Sequence, residues 1–181
     1  MDDLPRFIDR WTIEYVRTYP HPIERVWRAI TDPKEFGVWF IRGTLDLRVG
    51  GSYDFDTGDG GFKGTVLTVE PPRFVRFGGP SHAKGYFQYE LSPVDGGTRM
   101  QFVQHFPPDG VYMPTAEDAG GDIPVPGTAW KPGFVGGWYE FWDALGSFLD
   151  GAMDSEAQRH ERWKELNRFF RIYIRENCPP G

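Results

Sequence analysis

The stretch from Tyr53 to Lys63 gathers the groups most suggestive of chemistry, because glycine and aspartate crowd there as they do in phosphate and calcium loops. Gly58-Asp59-Gly60-Gly61-Phe62-Lys63 begins like the dinucleotide fingerprint GxGxxG, but Lys63 stands where the last glycine belongs. It also lies between strand-like runs, with no helix N-terminus to receive a pyrophosphate. Asp54, Asp56 and Asp59 miss the spacing of a calcium loop, and Thr65 occupies the place of its bidentate glutamate. His160-Glu161 is followed by Lys164 where a zinc-binding HExxH needs its second histidine. His21, His82, His105 and His160 are scattered, and Cys178 is the sole cysteine. The motifs therefore predict no metal, no cofactor and no catalytic residue, and Thr57–Gly60 reads as an exposed turn.

What remains is a set of polar groups on apolar faces. Gln104 shares a strand face with Met100, Phe102 and Phe106, while Tyr53 lies with Phe55, and Tyr89 with Phe87 and Leu91. Hydroxyls and an amide inside an aromatic surround can orient a bound molecule through a few hydrogen bonds. The composition supports such a surround. With seven Trp, eight Tyr and fifteen Phe, 17% of the chain is aromatic, enough to fill a large core, line a cavity, or both.

The elements that must position these groups follow from periodicity. Trp11–Tyr19 is β-rich and stops at Pro20. Ile23, Val26, Trp27 and Ile30 form the apolar stripe of a short helix, and Asp32-Pro33 opens a second one. Strands are then predicted at 44–47, 52–56, 62–69, 73–77, 85–91 and 98–106, joined by glycine and proline turns as in an antiparallel meander. Pro107–Gly137 lacks periodicity and reads as an insertion, either a lid or a surface wrap pinned by its aromatics. Trp138, Phe141, Trp142, Leu145, Phe148 and Leu149 mark an amphipathic helix. A further helix spans 155–177, its polar face rich in arginine and read as solvated.

Length and charge bound the function. The 181 residues suit one domain, and a net charge of −6 argues against a nucleic-acid binder. The N-terminus shows no signal peptide, and no run approaches the roughly 20 apolar residues of a membrane span. A cytoplasmic protein without membrane insertion is expected, either monomer or homodimer.

Pro22-Ile23-Glu24-Arg25-Val26-Trp27-Arg28-Ala29-Ile30-Thr31-Asp32-Pro33, followed by Trp39-Phe40, resembles the family opening P-x-E-x-V-W-x-A-[IL]-T-D-P … W-F. Val49-Gly50-Gly51-Ser52-Tyr53, Gly64-x-Val66, Glu70-Pro71-Pro72-Arg73, Gly97-Thr98-Arg99 and Gly137-Trp138 continue the pattern in order. Over most of Trp11 to Leu149 the chain looks like the START-like (SRPBCC) superfamily, in the branch similar to activators of heat-shock-protein ATPase.

The resemblance implies an α+β helix-grip fold, in which a curved antiparallel sheet of about six to seven strands wraps a long C-terminal helix. The whole chain would form one START-like domain with its core at 11–150, the 107–137 insertion crossing the cavity mouth and the helix at 155–177 as an addition. On that pattern Trp39, Phe40, Tyr53, Phe55, Phe87, Tyr89, Phe102, Gln104, Trp138, Phe141, Trp142 and Leu145 would line a cavity for a hydrophobic ligand. The implied function is binding of a lipid-like or polyketide-like molecule by a non-catalytic carrier or sensor. The alternatives are a polyketide cyclase/aromatase-like enzyme, or a protein-interaction module with a chaperone ATPase as partner.

Overall fold

The computed structural model describes residues 3–55, 62–78, 85–106, 125, 128, 130–153 and 155–179. The expected turn at 57–60 and most of the 107–137 insertion lie outside the described residues. In chain order the elements are β1 (Arg6–Asp9), β2 (Thr12–Tyr19), α1 (Ile23–Thr31), α2 (Pro33–Trp39), β3 (Gly43–Leu45) and β4 (Ser52–Phe55). They continue with β5 (Phe62–Glu70), β6 (Phe74–Gly78), β7 (Tyr86–Val94), β8 (Gly97–His105), α3 (Pro132–Leu149) and α4 (Glu156–Asn177).

The eight strands form one sheet in the order β1-β2-β8-β7-β6-β5-β4-β3, with every neighbouring pair antiparallel. From β3 to β8 it is the predicted meander. The β2 strand closes against β8, so α1 and α2 carry the chain from one side of the sheet to its far edge. The α3 helix packs on the inner face, which is the helix-grip arrangement.

The sheet has one strand more than the six to seven expected. The addition is β1, a four-residue edge strand in which only Phe7 is buried, too short to show alternation. A second correction concerns the insertion. Residues 132–137 are the first turns of α3, with Pro132 at its start, where the missing N–H costs nothing. Gly133, Gly136 and Gly137 lower the helix propensity there and hid the turns from the sequence pattern. The insertion's C-terminal end is pinned by Trp130, which is fully buried, packs on Phe106 at 4.9 Å and donates its indole N–H to the Arg10 carbonyl.

Local signals place the remaining elements. The predicted stripe of α1 is buried at Val26, Trp27 and Ile30. Asp32 caps α2, its carboxylate accepting from the Lys34 N–H at 2.9 Å, and thereby sets where Trp39 emerges. Gly50 turns the chain between β3 and β4 with φ +79°, a conformation that side chains disfavour.

The α4 helix opens with a capping box between Ser155 and Gln158 and packs along α3. Phe170 meets Tyr139 at 5.5 Å, and the Tyr173 hydroxyl donates to the Pro5 carbonyl at 2.6 Å, tying α4 to the N-terminal segment. The basic residues Arg168, Arg171 and Arg175 are exposed, as a solvated face requires. Among the described residues no helix is long and apolar enough to cross a membrane.

Candidate ligand-binding site

Strand alternation and register build the floor of the site. Tyr15, Phe102, Tyr89 and Val75 are cross-strand neighbours on the inner face, and Ile13, Gln104, Phe87, Phe77 and Val66 form the adjacent row. Gln104 is the single polar residue in that second row, and it is 4% exposed. Tyr53 and Phe55 extend the floor on β4, where Tyr53 meets Phe77 edge to face at 5.2 Å.

The roof is α3. Trp138 and Trp142, four residues apart and so on one helix face, stack on each other at 5.2 Å. Both press on Phe102, at 4.4 and 4.7 Å respectively. Trp142 also meets Tyr89 edge to face at 5.7 Å, and Trp138 reaches Phe87 at 6.3 Å. At the α2 end, Phe40 stacks on Trp138 at 5.4 Å and stands edge-on to Phe141 at 4.6 Å. Phe40 and Phe141 are the half-buried members of the predicted set, and the other ten are buried. The predicted residues thus converge on one sheet–helix interface, with Leu145 in the core one turn beyond Trp142.

The hydrogen bonds divide the polar groups into two kinds. The Trp39 indole N–H donates to the Ala29 carbonyl at 3.0 Å, and the Tyr53 hydroxyl donates to the Gly78 carbonyl at 2.9 Å. That second bond spans from β4 to β6 across β5, where Gly64 has no side chain to block it. These two groups serve the fold. The Gln104 Oε1 and the Trp142 Nε1–H are buried and have no hydrogen-bond partner among the described residues. Each such group costs about 1–3 kcal/mol of stability. Burial pushes the Tyr89 hydroxyl pKa well up, with no charge offsetting it.

Sequence reasoning missed the anchors on β2. Ile13, Tyr15, Arg17 and Tyr19 alternate inward, a pattern visible in TIEYVRTY. The Tyr15 hydroxyl donates to the Val135 carbonyl at 2.8 Å and the Tyr19 hydroxyl to the Trp142 carbonyl at 3.0 Å, so β2 holds α3 by its backbone. Between them the buried Arg17 donates to the Asp3 and Val16 carbonyls, covers the Tyr139 ring at 4.6 Å and lies 3.9 Å from Asp143. Burial raises the pKa of both tyrosines, and the Arg17 charge offsets part of that rise.

No cluster of His, Cys, Asp or Glu able to hold a metal occurs among the described residues. The inward positions of β4, β6, β7 and β8 carry no charged side chain. The interface is therefore an aromatic, closely packed core with a few neutral hydrogen-bond groups.

The sequence profile described as "Activator of Hsp90 ATPase homolog 1-like protein" matches residues 20–150, most of the chain. The chain belongs to that family. Within it, and within the START-like (SRPBCC) superfamily, the helix-grip fold is shared by solved structures. CalU16 from Micromonospora echinospora is similar at 21% identity over 95% of each chain, with a TM-score of 0.61. The conserved protein EF2215 from Enterococcus faecalis matches at 14% identity over 99% of this chain and 94% of its own, with a TM-score of 0.67. DynU16, from the dynemicin biosynthetic locus, matches at 25% identity over 78% of this chain and 48% of its own, with a TM-score of 0.57. No curated protein matches the sequence.

Proposed function

We propose that this family member binds a hydrophobic or aromatic small molecule, lipid-like or polyketide-like, between the sheet and α3, and acts as a carrier or sensor rather than a catalyst. The observation that carries this reading is the pair of buried polar atoms, Gln104 Oε1 and Trp142 Nε1, which have no hydrogen-bond partner among the described residues and lie in aromatic surroundings. A core selected only for stability would replace them with apolar groups of the same shape. A ligand that pairs with them accounts for their presence. The biosynthetic-locus origin of DynU16 suits a small-molecule partner.

The cyclase reading is weaker on this geometry. The Tyr53 hydroxyl is committed to Gly78, and burial makes Tyr89 a poorer acid. A chaperone regulator would have the exposed basic face of α4 as its contact surface, and that face lies beyond the 20–150 match to the family.

Native mass spectrometry against panels of lipids, sterols and aromatic polyketides tests the proposal. The expected result is a one-to-one complex with at least one panel member, accompanied by a change in tryptophan fluorescence. Failure of every panel to form a complex overturns it.

A further inference from the structure

We propose that the outer face of the sheet, turned away from α3, carries a second binding site, formed by Arg76 and Tyr86, for the phosphate group of a small organic phosphate monoester. Alternation decides the face. Val75, Phe77 and Phe87 are buried inward, so Phe74, Arg76, Tyr86 and Gln88 stand outward on neighbouring strands. Arg76 is fixed there by three neighbours. Its Nε–H donates to Gln88 Oε1 at 2.8 Å, and its guanidinium covers the Tyr86 ring at 4.7 Å and the Phe74 ring at 5.5 Å. Tyr86 is fixed in turn from the β8 side by His105, stacked on it at 5.3 Å, whose Nδ1 lies 2.9 Å from Thr12 Oγ1.

These contacts leave a defined set of donors over. With Nε committed to Gln88, Arg76 keeps the N–H fork of its two terminal nitrogens, and Tyr86 keeps its hydroxyl. Neither group has a hydrogen-bond or carboxylate partner among the described residues. By contrast, Arg6, Arg25, Arg28 and Arg48 each hold a carboxylate, and Arg168, Arg171 and Arg175 are exposed on α4. A half-buried, pre-positioned guanidinium without a counter-ion is a seat for an oxyanion.

The donor count selects which oxyanion. The fork engages two oxygens and so satisfies a carboxylate, whereas the Tyr86 hydroxyl calls for a third oxygen, which a phosphate supplies. Glu70 and Glu90 flank Phe74 across the strands, so an anion is repelled from that side of Arg76 and favoured on the Tyr86 side. There Gly78, opposite Tyr86, has no side chain, and Leu67 lies against it at 47% exposure. An exposed leucine beside the phosphate seat suits the carbon skeleton of an ester.

Titration of the full chain at low ionic strength, followed by nitrogen–proton correlation spectra, tests the site with phenyl phosphate, inorganic phosphate and benzoate. Phenyl phosphate should give saturable shifts of the Arg76, Tyr86 and Gln88 amides. The other two should bind about tenfold more weakly, inorganic phosphate for want of a carbon skeleton and benzoate for want of a third oxygen. Arg76→Gln should remove the saturable shifts for all three probes. Arg76→Lys, which keeps the charge and loses the fork, should weaken each about tenfold. Tyr86→Phe should bring phenyl phosphate down to benzoate and leave benzoate unchanged. No saturable shift in the wild type, or shifts confined to the exposed arginines of α4, overturns the site. Benzoate binding as tightly as phenyl phosphate overturns its choice of phosphate. The interface between the sheet and α3 stands or falls separately, on the native mass spectrometry.

Discussion

Trp39 and Trp142 lie with ring centroids 6.2 Å apart, and among the described residues only Trp39 has a partner for its indole N–H. The two share a residue type, a core and full burial. Trp39 is wired into α1 through the Ala29 carbonyl and so positions the end of α2. Trp142 brings a donor into an aromatic enclosure and leaves it there. That contrast separates an indole that serves the fold from one whose donor is left over among the described residues.

Gln104→Met should raise stability. The substitution keeps the length and removes a buried amide oxygen that has no partner among the described residues, so thermal or urea unfolding of the ligand-free protein should show a gain of about 1 kcal/mol. A loss of similar size would mean that Gln104 is a structural residue.

The bridge from Tyr53 to Gly78 depends on Gly64. A Cβ there would collide with the Gly78 carbonyl oxygen and stand 2.9 Å from the Tyr53 hydroxyl. Tyr53→Phe should cost about 1 kcal/mol by loss of one hydrogen bond. Gly64→Ala should cost about 2–3 kcal/mol because backbone must move. Urea unfolding of the two variants provides the comparison, and a harmless Gly64→Ala would contradict the bridge.

Much of this arrangement was legible in the chain before any coordinates. The stripe of α1, the Asp32 cap, the meander and the inward set on β7 and β8 all follow from short-range periodicity and turn chemistry. Gln104 stood out because a polar residue on an apolar face breaks the alternation. The rest depends on long-range contact. Phe7 reveals β1 only once Ile13 lies opposite it, and the first turns of α3 carry glycines whose meaning appears only when α4 packs there. No sequence pattern tells that, among the described residues, Trp39 finds a carbonyl and Trp142 does not.

Gly136 lies directly against α4, since a Cβ there would stand 3.2 Å from Phe170 and 3.3 Å from Leu166. Gly136→Leu should wedge the helices apart at a cost of about 2–3 kcal/mol. Hydrogen exchange should rise along α4 while β7 and β8 stay protected. Uniform loss of protection would mean that α4 and the sheet open as one unit.

Alkaline pH should destabilise the protein through its buried tyrosines. Burial holds the hydroxyls of Tyr15, Tyr19 and Tyr89 protonated above the ordinary value near 10. Above that value the native chain binds more protons than the unfolded one, so stability is intact below about pH 10 and falls as pH rises beyond it. In a tyrosinate absorbance titration these residues should ionise only as helical circular dichroism is lost. Full ionisation of every tyrosine with the fold retained would contradict the burial.

The most direct test of the ligand-binding account is the indole N–H region of a nitrogen–proton correlation spectrum, recorded as a molecule that binds in the native mass spectrometry panels is added. The account predicts that the Trp142 resonance, assigned through Trp142→Phe, moves downfield on gaining an acceptor, while that of Trp39 keeps its hydrogen-bonded position. A bound ligand that leaves Trp142 unmoved, or shifts only resonances of surface residues, would contradict a site between the sheet and α3.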